Sequence, residues 1–187
     1  MNNKKYLKVM FDTKSRYNDF EYQINKENVA NKWNPNATTP EEMGGFNFSC
    51  EEKVVRWLHN GDTIYDVLIS NDAEVINVKE CATPNGVFRS NKIILTNPRK
   101  VTDDMALEFY NKSTIPEKAY SKTLGSVAIM GYDKTARKIL NDKVNKGNID
   151  LYINEWNDFI NKSNRKNSNK TVKYIEKQLI NIKNSNI

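Results

Sequence analysis

Cysteine is scarce: the 187-residue chain has two, Cys50 and Cys81. Their wide separation fits no zinc pattern, which requires closely spaced pairs. Chains of the cytosol rarely carry disulfides, so reduced thiols in a cytoplasmic protein are expected. Histidine is scarcer still, with His59 alone. Long apolar runs are missing. No stretch approaches the roughly 18 residues of a membrane span, and the apolar stretch in Met1–Lys14 is too short for a signal peptide. The reading is therefore a protein without a membrane partner and without an encoded route of export. Seven glycines are present, but none form a G-x-G-x-x-G or Walker loop. No metal cluster and no nucleophile–base pair can be read. Acids are nearly missing from one place only. Asn161–Ile187 holds seven Lys/Arg and the single acid Glu176, whereas residues 1–160 carry 22 basic and 22 acidic side chains. The whole net charge of +6 thus belongs to the C-terminal end, and such polarity implies an end that meets something acidic.

The chain is long enough to bury a core unaided. Its first hundred residues read as strands and turns. Tyr6–Phe11 is one strand. Phe20, Tyr22 and Ile24 alternate onto one face of another. A Pro/Asn-rich loop spans Asn34–Met43. Phe46–Phe48 enters a short strand, and Ser49 with Glu52 forms the S-x-x-E capping box of a helix to about Leu58. Asn60-Gly61 ends that helix through a left-handed glycine. Thr63–Ile69 and Ala73–Val78 read as a hairpin about Ser70-Asn71-Asp72. Thr83-Pro84-Asn85-Gly86 is a further turn, and Asn91–Leu95 the last strand. From Asn97-Pro98-Arg99 onward the pattern is helical. Thr102 and Asp133 are caps, and Ile149, Ile153, Trp156 and Ile160 form one stripe. Ser163–Asn169 is a polar linker. A final helix carries the seam Val172, Ile175, Leu179, Ile182, suited to a partner helix in this chain or in another. The fold class is α+β, because strands precede helices instead of alternating with them. The expected domains are a mostly antiparallel β-rich 1–100 with one short helix and a helical 101–187 of about five helices.

Several residues invite a chemical reading, each with a plainer alternative. His59 suits a general base or a surface histidine at a helix C-terminus. Gly44, Gly45, Phe48 and Ser49, with Arg89, make a candidate ligand pocket, since paired glycines permit close backbone approach and the first amides of a helix hold anions. The same glycines suit a tight turn into a buried strand. Asp62 and Asp66 share strand parity and suit a metal or acid–base pair, or the solvated face of an antiparallel sheet. Arg89 fits a carboxylate or a phosphate. At the basic end, Arg165, Lys166, Lys170, Lys173 and Lys177 with Tyr174 suit three roles: a solvated helix face, a nucleic-acid contact with Tyr174 stacking on a base, or docking on an acidic protein surface.

The progression Gly44-Gly45-Phe46-Asn47-Phe48, Asp66-Val67 to Asp72-Ala73-Glu74-Val75, and Phe88-Arg89 to Lys92-Ile93-Ile94-Leu95 resembles a small family of uncharacterised proteins from gut Firmicutes, phages and giant viruses. Those relatives show "GGLYF", "DV-IP-DA-V" and "KADKIIL". The resemblance covers about residues 18–110. Asn47 stands here for the usual Tyr, and Asn91 for the usual Asp. The glycine-aromatic strand before a helix also resembles, faintly, the core of ADP-ribosyltransferases. That likeness would place Phe48 and Ser49 near the nicotinamide of NAD, with Glu74 or Glu80 completing the site; the first strand lacks that family's His or Arg. The expectation drawn from all this is a non-enzymatic interaction protein without a cofactor. In its concrete version it is a phage or mobile-element accessory, anti-CRISPR-like, that docks on and inhibits a host nucleic-acid-handling or defence protein. Its partner would be an acidic protein surface or a nucleoprotein. An NAD-using enzyme and an RNA/DNA-binding module are the alternatives, and the oligomeric state is left open.

Overall fold

The computed structural model of the chain describes residues 4–15, 20–79, 86–163 and 169–185. Two compact units emerge: residues 1–54 with 60–100, and residues 55–59 with 101–187. Arg165, Lys166, Glu80, Cys81 and most of the Thr83–Gly86 turn lie outside the described residues.

The first unit is an antiparallel sheet of seven strands. They are β1 Tyr6–Met10, β2 Glu27–Val29, β3 Phe46–Cys50, β4 Thr63–Leu68, β5 Val75–Asn77, β6 Val87–Ser90 and β7 Lys92–Lys100, in the order β2-β7-β4-β1-β3-β6-β5. The expected hairpin of the strands about residues 63–69 and 73–78 does not form. β4 lies between β7 and β1, and β5 pairs with β6 at the far edge. Local turn chemistry at Ser70–Asp72 is overridden by the long-range pairing of β4, which buries Ile64 and Val67. The Phe20–Ile24 segment makes isolated bridges rather than a strand, yet Phe20, Tyr22 and Ile24 do pack on the core as one face. That core gathers Met10, Tyr22, Phe46, Phe48, Tyr65, Val67, Phe88, Ile93 and Leu95. Phe48 stacks on Phe88 at 5.7 Å between ring centroids, and Tyr6 meets both edge-on.

β7 runs past the expected break, through Pro98 to Lys100. Proline survives inside a sheet only at bulges or edges, and a bulge is what forms. Ile64 faces Arg99 while Asp66 faces Thr96, so Tyr65 opposes two residues. Asn97 takes the left-handed conformation there, φ +51°, which asparagine tolerates better than most residues.

Among the described residues before 101 there are two short helices, not one: α1 Pro40–Met43, and a 3-10 helix Glu51–Asn60. Ser49 does not cap the latter. Cys50 holds the N-cap position without a capping bond from its side chain, while the buried Ser49 hydroxyl donates to the Gly86 carbonyl at 2.8 Å. Gly61 is extended, φ −177°, rather than left-handed. It is needed because a Cβ there would lie 2.0 Å from the Met10 carbonyl carbon.

The second unit is built of α2 Asp103–Asn111, α3 Ala119–Ile129, α4 Asp133–Lys143, α5 Ile149–Asn161 and α6 Lys170–Asn184. α3 is buried on nearly every side, only Lys122 reaching out, as befits a central helix. Thr102 caps α2, accepting from the Met105 amide. α4 is capped not by Asp133 but by Asp103 of α2, whose carboxylate accepts from the Lys134 and Thr135 amides at 2.7 and 3.1 Å. Tyr152 replaces the expected Ile153 in the buried stripe of α5.

Candidate functional site

α6 carries a charge of +3, from Lys170, Lys173, Lys177 and Lys183 against Glu176, and its sequence splits the helix into two faces. Thr171, Val172, Ile175 and Leu179 are buried, at the spacing of one helical stripe. This seam packs within the unit, against α3, α4 and α5. Lys170, Lys173 and Lys177 follow at spacings of three and four on the opposite side, and all three are exposed. Ile180, half exposed at 51%, continues their row.

Three contacts fix the helix in place. Asn169 is the N-cap: its Oδ1 accepts from the Thr171 and Val172 amides, while its Nδ2 donates to the carbonyls of Ala128 and Ile129 at 2.8 and 3.1 Å. One side chain thereby closes the start of α6 and the end of α3, satisfying groups a helix terminus leaves unpaired. Thr171 donates to Asp133 at 3.3 Å. The Arg137 guanidinium lies 3.4 Å from the centre of the Tyr174 ring, a cation–π contact, and its Nε binds Asp133 at 2.7 Å. Tyr174 is therefore half-buried under Arg137, not held out among the lysines as the stacking reading requires.

The lysines of the unit differ in their partners: Lys112 and Lys118 meet no carboxylate among the described residues, and Lys146 donates to the Ser185 carbonyl at 3.1 Å. Lys122, Lys134, Lys138, Lys143 and Lys162 each meet a carboxylate: Glu155, Asp104, Asp142, Glu117 and Asp158 in turn. On α6, Lys183 reaches Asp150 at 3.2 Å. Lys170, Lys173 and Lys177 meet no carboxylate among the described residues. Three like charges on adjacent turns repel one another, so this face gains from an external anion.

The glycine turn is filled from within its own unit. A Cβ on Gly45 would lie 2.5 Å from the Trp33 ring, and one on Gly44 would lie 2.3 Å from the Lys32 carbonyl oxygen. Arg89 donates to the carbonyls of Gly44 and Pro40 at 2.5 and 2.8 Å. Phe48 is enclosed by Tyr6 and Phe88, and Ser49 is bound to Gly86. Glu74 accepts from the Trp33 indole at 2.5 Å. Cys50 is a buried free thiol, pushed up to about 11 chiefly by burial.

Asp62 and Asp66 do not converge on a metal or acid–base pair. Lys100 binds Asp62 at 2.8 Å. Arg99 grips Asp66 with both terminal nitrogens, at 2.6 and 3.1 Å, and Asn97 adds a bond at 2.9 Å. These donors hold both carboxyls below the usual range, the reverse of what a general acid needs. The bulge aims Asn97 and Arg99 together at Asp66, an arrangement that linear spacing could not reveal.

His59 gains a neighbour that sequence reasoning missed. Its Nδ1 lies 2.8 Å from Ser126 Oγ on α3, and its amide donates to the same oxygen at 3.2 Å. Ser126 is fully buried, so the pair ties the 3-10 helix residue to α3 and offers no hydroxyl to a substrate. The ring stands edge-on to Phe159 at 5.1 Å.

No protein-family model matches the chain, and neither a curated protein nor a solved structure is similar to it. Among the described residues no helix is long and apolar enough to cross a membrane.

Proposed function

We propose that this is a non-enzymatic interaction protein that docks on an acidic macromolecular surface through the outer face of α6. The observation that carries the reading is the row of Lys170, Lys173 and Lys177, without a carboxylate partner among the described residues, in a unit whose other helices pair their lysines. The double cap at Asn169 and the Arg137–Tyr174 stack hold the row on a rigid helix, and preorganised charge lowers the ordering cost of association. Ile180 supplies an apolar contact at the end of the row. In the concrete version, the acidic surface belongs to a host protein that handles nucleic acid or defends against it, and docking inhibits that protein.

The test is capture from host lysate by the wild-type chain and by the triple variant Lys170→Glu/Lys173→Glu/Lys177→Glu, with and without nuclease. A single protein retained by wild type after nuclease treatment, and lost by the variant, supports the proposal. Equal retention by both would refute it. Capture that vanishes with nuclease and falls steeply with salt would replace it with the nucleic-acid reading.

A further inference from the structure

The sheet unit contains a lysine that the docking surface does not use. Lys8 sits on β1 between Tyr6 and Met10, on the strand face that carries the core, and is only 7% exposed. β1 and β3 pair at just two positions, Tyr6 with Cys50 and Leu7 with Ser49. Beyond them, Lys8 Nζ donates to the Asn47 carbonyl at 2.7 Å and to Asn47 Oδ1 at 2.9 Å. The Tyr22 ring centre lies 5.2 Å away, and Tyr65 is the cross-strand neighbour on β4. No carboxylate among the described residues pairs with this amine.

The surroundings suit a neutral amine. A neutral Nζ has two N–H groups, and Asn47 supplies an oxygen to each; an ammonium carries a third donor that finds only the face of Tyr22. Tyr22 and Tyr65 are phenols whose titration burial pushes up, so neither supplies a negative charge. Arg89 is the charged group whose field reaches the site, and it opposes a second cation. Burial first, and Arg89 second, bring Lys8 down to about 7.

We propose that Lys8 is a site of reversible carbamate formation with carbon dioxide. The Nζ lone pair attacks the carbon of CO2, and one C=O electron pair moves onto oxygen. The nitrogen then releases one proton to water, leaving Nζ–COO⁻. The step inverts the charge of the side chain from positive or neutral to negative, so the field of Arg89 changes from opposing to favourable. Asn47 is exposed and carries an amide that can donate to the new carboxylate. An ordinary lysine leaves only about one amine in a thousand neutral near pH 7.4, which sets the contrast to be measured.

The full chain is equilibrated with ¹³C-bicarbonate at pH 7.5 and trapped with triethyloxonium, which esterifies carbamates, and the modified peptides are mapped by mass spectrometry. Trapping at Lys8 should exceed that at exposed Lys170 or Lys173 by about tenfold or more, following the difference in neutral amine. Lys8→Met should remove the matching carbamate carbonyl resonance while the circular dichroism is unchanged. Arg89→Gln should lower Lys8 occupancy several-fold. An unmodified Lys8, or one no more modified than the exposed lysines, overturns the proposal. Unchanged occupancy in Arg89→Gln overturns the part given to Arg89.

Discussion

Two kinds of unpaired lysine occupy this molecule, one inside the sheet and one along the outside of α6, and the same lack of a counter-ion has opposite consequences. Lys8 is enclosed, so the cost of desolvating a charge is met by giving up the proton. Lys170, Lys173 and Lys177 stand in water, where hydration supports the ammonium; in the proposed function a partner supplies the anion. The comparison teaches that an uncompensated base gives up its proton in a low-dielectric site and keeps its charge on a surface. Between these extremes lie the paired lysines of α3 to α5, whose exposed salt bridges contribute little to stability.

The largest effect should come from erasing the outer row. Reversing all three α6 lysines to Glu should weaken partner binding by about a hundredfold or more, since coupling between close charges across interfaces reaches several kcal/mol. The melting temperature should stay within a few degrees. Binding unchanged by titration calorimetry would remove the distinction between α6 and its neighbours.

A second effect tests the buried lysine through pH. The folded state holds Lys8 near 7, below the ordinary 10.5. Between those values the unfolded chain binds a proton that the native one does not, so stability rises as pH increases through this window and is flat beneath it. Lys8→Met should remove the rise and stabilise the neutral-pH protein by about 1 kcal/mol or more, as expected when a desolvated base is replaced by an apolar chain of similar length. Urea denaturation at pH 7 and pH 9.5 measures both. An identical pH slope in the variant would mean that Lys8 titrates normally.

The mounting of the row gives a third, intermediate effect. Asn169→Ala removes the cap of α6 and uncovers two carbonyls of α3, and should cost about 1–2 kcal/mol. It should also weaken partner binding, because the lysines lose their fixed spacing. The smallest effect is the control. Lys162→Ala breaks an exposed pair with Asp158 and should change stability by under about 0.5 kcal/mol, with binding untouched. If it weakens binding as much as the α6 changes do, total charge rather than its placement governs recognition.

The α6 face could be read from the chain because its signals are local. Buried and basic positions separate by helical spacing within Lys170–Asn184, and the surplus of base over acid is visible without a structure. Thr102 as a cap and the burial of Phe20, Tyr22 and Ile24 on one face are local in the same sense. What escaped depends on partners far apart in sequence. β4 looked like half of a hairpin until β7 and β1 claimed both its edges. Asp103 caps a helix thirty residues downstream, so Asp133 took its place in the linear reading. Ser49 matched a capping motif, but the Gly86 carbonyl, 37 residues on, accepts its hydroxyl proton. Lys8 did leave a trace: it shares strand parity with Tyr6 and Met10, where a base is out of place.

The bulge at Asn97-Pro98 bears on how the sheet assembles. β7 holds β2 on one side and β4 on the other, so an alignment error there would spread to both neighbours. A slip of one residue would turn Ile93 and Leu95 outward. Asn97 and Pro98 suit the widened step opposite Tyr65, one by accepting the left-handed backbone, the other by having no amide to leave unsatisfied. That pair acts as a notch, matching the two longest strands of the sheet in a single alignment.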